Sequence, residues 1–248
     1  MKPYVLSVAG FDPSAGAGVL ADVKTIEANG GYGLGVVSAL TRQNDVCFES
    51  LDWITLDNMV AQTRLLLQRL PIRYVKIGLI EDFKVLDALL NYLHREIDRP
   101  VIVWDPVLKA SAGFSFHGDG NIPVLQKILA RVAVVTPNLP EMQQLCGSAD
   151  WTPYAAAWAA TCAVYVKGGH APGLYAEDVL YAGNEVHRWG GARIANGDKH
   201  GSGCVLSSAL AAHLALGLPL AAAAQQARQY TRRVLASNET LLGYHQYA

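Results

Sequence analysis

Short runs of β-branched and apolar residues, each stopped by Gly, Pro or Asp, alternate with longer stretches whose apolar positions recur at helical spacing. YVLSVAG begins at Tyr4, LGVVSALT at Leu34, YVKIG at Tyr74, VIVWDP at Val101, VAVVTPN at Val132 and AVYVKGG at Ala163. Runs this continuously apolar are strands buried on both faces, as in a parallel sheet. The helical stretches between them cover residues 19–28, 57–69, 83–95, 123–131 and 153–161. Strand and helix in succession predict an α/β fold of three layers, αβα, with a mostly parallel central sheet flanked by helices on both faces. The rhythm breaks at DVLYAGNEVHRW, residues 178–189, where two short strands flank Gly183-Asn184, a hairpin signal. Two alanine-rich helices are expected after it, over residues 204–216 and 220–236.

Nothing in the chain reads as a linker, so all of residues 1–248 are expected to form one domain with one substantial core. The formal charge is −1, and no basic cluster exceeds Arg232 and Arg233, which excludes the electrostatic footprint of a nucleic-acid binder. No apolar run approaches the roughly 18 residues of a membrane span, and MKPYVLSVAG reads as a strand rather than a leader. A cytoplasmic protein acting on a small molecule is the expectation. Cys47, Cys146, Cys162 and Cys204 lack CxxC spacing, so reduced thiols are expected rather than a zinc site or a disulfide framework.

In doubly wound sheets ligands collect outside the carboxyl ends of the strands. The polar residues expected there are Gly10 to Ser14, Thr41 to Asn44, Lys76 to Leu79, Asp105, Asn138 to Glu141 and Lys167 to His170. AGFDPSAGAG, residues 9–18, is a glycine-rich turn into a helix, suited either to amide contact with a ligand or to tight packing. In HGSGC, Gly201 and Gly203 allow successive amides to cradle an anion, and a helix beginning near Cys204 adds its positive end. A thiol there has either a lowered pKa or only a packing role.

Asp105 ends a strand, where it could hold a metal or cap a turn before Pro106. Asn138 and Glu141 are three apart in TPNLPE, spaced to share a first helical turn as ligands or as a cap. Lys167 before two glycines suits phosphate, or else a solvated surface. Gln43 could read the edge of a heterocycle, and Asp22 could accept from an amino group or lie on a solvated helix face. Taken together, polar groups at successive strand ends and one anion cradle describe phosphoryl transfer by positioning and electrostatics.

In that order, AGFDPSAGAGVLADVKT, ALTRQN, VKIGL, WDPVLKASAG, TPNLPE, VKGGH and HGSGC resemble the hydroxymethylpyrimidine/phosphomethylpyrimidine kinases of thiamin biosynthesis, in the ribokinase superfamily. The resemblance spans nearly the whole chain. It implies a ribokinase-like fold and ATP- and Mg2+-dependent phosphorylation of 4-amino-5-hydroxymethyl-2-methylpyrimidine, then of its monophosphate to the diphosphate. It implies a pyrimidine site at Gly10, Asp22, Thr41, Gln43, Leu79 and Val107, with Gln43 on the ring edge and Leu79 on a ring face. Asp105, Asn138 and Lys167 would serve ATP and its phosphates. Glu141 and Asp105 would serve Mg2+, directly or through water. Gly201, Ser202 and Gly203 would stabilise the transferred phosphoryl group, and Cys204 would accept or orient the proton of the substrate hydroxyl. A homodimer is implied as well.

The chain departs from the family pattern at three places. Leu79 stands where many relatives have methionine, Asp198-Lys199 where an Asn-Thr pair is common, and LLGYHQYA where the tail is usually glycine-rich. KASAGFSFHGDG, residues 109–120, is small and polar enough to close over the site as a flap. Two other functions fit the same residues: a pyridoxal kinase, and a non-catalytic sensor of the pyrimidine.

Overall fold

A computed structural model describes residues 1–108, 122–170, 173–195 and 197–246. Among these, nine strands form one sheet: β1 (Tyr4–Phe11), β2 (Tyr32–Gln43), β3 (Phe48–Trp53), β4 (Tyr74–Ile77), β5 (Val101–Trp104), β6 (Val134–Val135), β7 (Ala163–Val166), β8 (Tyr175–Ala182) and β9 (Glu185–Ala192). Their order is β3-β2-β1-β4-β5-β6-β7-β8-β9. β2, β1, β4, β5, β6 and β7 run parallel, while β3, β8 and β9 pair antiparallel at the two edges. The chain therefore proceeds outward from β1 to β2, then returns to place β4 on the other side of β1. Between β1 and β4 lies the switch point where such sheets bind ligands.

The helices are α1 (Gly18–Ala28), α2 (Leu56–Leu67), α3 (Phe83–Glu96), α4 (Ile122–Leu129), α5 (Leu139–Cys146), α6 (Thr152–Trp158), α7 (Ser202–Ala215) and α8 (Leu220–Leu235). Successive side chains of a strand point to opposite faces, and β1 shows the consequence. Leu6 and Val8 join a core that takes in Leu86, Leu89, Leu90 and Leu93 of α3, while Val5 joins Ile26 of α1 and Val205, Ala209 and Leu210 of α7. α7 is apolar around most of its circumference because it is sandwiched between the sheet, α1 and α8.

The predicted hairpin turns at Gly183, with Ala182 opposite Glu185. Two elements differ from the expectation. β3 is an edge strand of FESLDW, half-exposed along its length, so it lacks the apolar run of its neighbours. α7 starts at Ser202, two residues before the expected helix, because Gly201 turns the chain with a left-handed φ of 74°. Cys204 is thus the third residue of that helix. The proposed flap, residues 109–120, lies outside the described residues.

Candidate active site

The carboxyl ends of the parallel strands open into a cleft of about 1250 Å³. Gly10, Thr41, Gln43, Leu79, Val107, Asp105, Asn138, Glu141, Lys167 and the whole turn from Gly201 to Cys204 line it. Gly10 and Leu79 meet where β1 and β4 end: a Cβ on Gly10 would stand 3.0 Å from Leu79 Cδ2. This contact makes one apolar wall. Thr41 Oγ1 donates to the Phe11 carbonyl at 2.7 Å, fixing the end of β2 against β1 and leaving Gln43 beside the cleft.

Asp22 is a correction. Its side chain has no solvent exposure and does not reach the cleft. Its carboxylate is filled by Lys76 Nζ at 2.8 and 2.9 Å, Ser7 Oγ at 2.6 Å and Ser208 Oγ at 2.7 Å. A helix position that sequence spacing leaves open to solvent faces the sheet here because Lys76, on β4, supplies the countercharge. Burial alone would lower the lysine's pKa, but Asp22, together with Cys204 and Asp105, outweighs burial and holds the ammonium charged.

Across the cleft, Lys167 Nζ donates to Asp105 Oδ1 at 2.7 Å and lies 3.7 Å from Glu141 Oε2. Asp105 also accepts from Thr136 Oγ1 and Ser207 Oγ, both at 3.2 Å. Burial would raise the Asp105 pKa, yet Lys167 and Lys76 together hold it below the ordinary value. Glu141 behaves oppositely: burial, aided by Asp105, pushes it up to about 7 against the opposing pull of Lys167. Asn138 caps α5 reciprocally with Glu141, accepting from its amide at 2.8 Å and donating its own amide to Oε2 at 2.7 Å. This capping box holds the Glu141 carboxylate beside Lys167.

α7 closes the arrangement. Its first turn has no side-chain cap; the Ser202 amide donates to the Lys199 carbonyl at 3.3 Å, and the turn from Gly201 to Cys204 lies on the cleft wall. Gly203 leaves room for the ammonium: a Cβ there would stand 3.0 Å from Lys167 Nζ. Lys76 and the Gly18 backbone favour the Cys204 anion, but burial dominates and pushes the thiol up to about 11. Cys204 is therefore a neutral thiol near pH 7, and the helix end does not produce the lowered pKa that its position suggested.

The roles of several residues of this region escape local sequence reading. Asp12 is fully buried and accepts from the amides of Ser14, Gly16 and Ala17 and from His200 Nε2 at 2.9 Å. At the far end of the cleft, Asp178 accepts from Arg228 Nε, Tyr165 Oη and the Gly168 amide. Asp178 comes from β8 of the hairpin and Arg228 from α8, and only the pairing of distant elements brings them to the cleft.

A family model described as phosphomethylpyrimidine kinase matches residues 12–247. The chain is 34% identical over 250 residues to a hydroxymethylpyrimidine/phosphomethylpyrimidine kinase of Rhizobium meliloti, covering 97% of this chain and 93% of that one. The structure of phosphomethylpyrimidine kinase from Clostridium difficile is similar with a TM-score of 0.78 and 27% identity, over 94% of this chain and 99% of that one. The pyridoxal kinase of Staphylococcus aureus in complex with ADP shares the fold, with a TM-score of 0.84 and 24% identity over 96% of this chain and 89% of that one.

Proposed function

The chain belongs to the phosphomethylpyrimidine kinase family, and from that premise we propose that it transfers the γ-phosphoryl group of ATP to the hydroxymethyl oxygen of 4-amino-5-hydroxymethyl-2-methylpyrimidine. A second transfer then converts the monophosphate to the diphosphate. One observation carries this reading: Lys167, Asp105 and Glu141 stand against the uncapped first turn of α7, in the same cleft as the apolar contact of Gly10 with Leu79. A flat heterocycle fits against that wall with Gln43 at its edge and Val107 beside it. Its hydroxymethyl arm then points toward Cys204 and the amides of Gly201, Ser202 and Gly203.

In the transfer, a bond forms from the substrate oxygen to the γ-phosphorus and the bond from that phosphorus to the β–γ bridging oxygen breaks. The hydroxyl proton leaves to water or to a phosphoryl oxygen. The transition state is loose and asks little of a base, which suits a thiol that is neutral at working pH. Cys204 serves to orient the hydroxyl. Lys167 and the amides of α7 face the charge that spreads over the phosphoryl oxygens. Asn138, held at the head of α5, flanks the phosphates.

Asp105 and Glu141 are the residues that would hold Mg2+. Among the described residues no group of three ligating side chains assembles, but Mg2+ is commonly held by one or two carboxylates together with phosphate oxygens and water. The fit is supported by the two carboxylates standing in one cleft around Lys167 Nζ, at 2.7 and 3.7 Å from it. Bound there, the ion would offset the charge of the triphosphate.

Residues 1–248 act as one kinase domain on this reading, in the cytoplasm and as a homodimer, which sedimentation of the purified protein tests. Incubation with ATP, Mg2+ and either the pyrimidine or pyridoxal, followed by mass detection of products, tests the reaction. Mono- and diphosphates of the pyrimidine are expected; phosphorylation of pyridoxal alone, or binding without ADP release, would overturn the assignment.

A further inference from the structure

AGFDPSAGAG and HGSGC are far apart in the chain, yet they meet at one carboxylate. Oδ1 of Asp12 accepts from the Ser14 amide at 2.9 Å and Oγ at 2.8 Å, while Oδ2 accepts from the amides of Gly16 at 3.2 Å and Ala17 at 2.8 Å. His200 Nε2, 188 residues away, lies 2.9 Å from the same Oδ2. Asp12 has no exposure, and the His200 side chain has 6%.

The two backbones are in contact beside this pair. A Cβ on Gly201 would fall 2.1 Å from the Gly16 carbonyl oxygen and 2.7 Å from Ala17 Cα. The outer side of the same turn is tied down as well: the His200 amide donates to the Leu241 carbonyl at 2.9 Å, and Lys199 Nζ donates to the carbonyls of Asn238 and Thr240. His200 is thus the residue that joins the phosphate-facing turn to both the first glycine-rich loop and the C-terminal segment.

We propose that Asp12 and His200 are positioning residues of the transfer reaction. Their hydrogen bond sets the register between the loop that ends the pyrimidine wall at Gly10 and the turn that carries the α7 amides and Cys204. Neither residue needs to touch substrate for this. A displacement on the order of 1 Å between acceptor and phosphoryl group costs about a hundredfold in rate, whereas binding of the heterocycle to β1, β2 and β4 does not depend on where the α7 turn sits. The signature is consequently a fall in kcat with little change in the KM for the acceptor. This proposal rests on the kinase reading above.

Two polar replacements separate positioning from simple filling of space. In His200→Gln the side-chain amide nitrogen reaches as far as Nε2 and can still donate to Asp12. In His200→Asn it is too short. Steady-state kinetics are measured with the pyrimidine and with pyridoxal as acceptors, together with thermal unfolding. The Gln variant is expected to keep kcat within about threefold of wild type, and the Asn variant to lose tenfold or more, with the acceptor KM within threefold in both. Equal kcat in the two variants, proportional changes in kcat and KM, or loss of the folded state in either variant would overturn the proposal alone. A wild-type protein that phosphorylates neither acceptor would overturn the kinase reading, and this proposal with it.

Discussion

Lys76 Nζ donates to both carboxylate oxygens of Asp22, at 2.9 and 2.8 Å, and neither side chain has any exposure to solvent. Ser7 of β1 and Ser208 of α7 complete the carboxylate, so this pair ties together the switch-point strands and α7. Removing one member of such a pair strands a buried charge. Asp22→Ala is expected to cost about 3–5 kcal/mol of stability, read from the midpoint and slope of urea unfolding. A loss below about 1 kcal/mol would show that the pair is not a structural anchor.

Asp22 also marks where sequence reading stops. Its own neighbours on α1 give a helix, correctly, but the ammonium that decides its role is 54 residues away on another strand. Asp12 and His200 are hidden for the same reason, since each read locally is only a turn residue. In contrast, the parallel strands and their order of alternation with helices were legible because burial on both faces leaves an apolar run in the chain itself. β3 leaves none, being an edge strand with one row of side chains in water. The polar residues at the strand ends were legible as a set because the switch point gathers them whatever their individual roles, and the structure does place Lys167, Asp105 and Glu141 together.

Cys204 is pushed up to about 11 mainly by burial. The pH–rate profile is therefore expected to contain no ionisation of this thiol between pH 6 and about 9. Cys204→Ser, which keeps a small polar group beside the substrate hydroxyl, should retain turnover within about tenfold, and Cys204→Ala should fall further. A rising limb near neutral pH that disappears in the serine variant would instead make the thiolate a base.

Glu141 gives a stability dependence of opposite sign to the usual carboxylate. Its ordinary value is 4.5 and its folded value about 7, so the folded state holds the proton more tightly than the unfolded chain. The fold keeps this contribution below pH 4.5 and loses it as pH rises through about 7. With chelator present, Glu141→Gln should abolish that part of the decline in melting temperature. Mg2+ should raise the melting temperature of the wild type more at pH 8 than at pH 5, because ion and proton compete for the same carboxylate. An equal Mg2+ effect at both pH values would remove Glu141 from the metal site.

Lys167 joins both carboxylates to the α7 turn. Lys167→Met removes the cation and leaves Asp105 and Glu141 facing each other, so kcat/KM for ATP is expected to fall about 10²- to 10³-fold. Circular dichroism should still report the folded chain. Retention of kcat/KM within threefold would place the transferred phosphoryl group elsewhere in the cleft.

The central claim is phosphoryl transfer to the hydroxymethyl group of the pyrimidine in this cleft. Purified protein with ATP, Mg2+ and 4-amino-5-hydroxymethyl-2-methylpyrimidine should yield, by mass spectrometry, the monophosphate first and the diphosphate after it, with ADP released in proportion. Absence of both phosphorylated pyrimidines, in a preparation shown to be folded, would contradict the account.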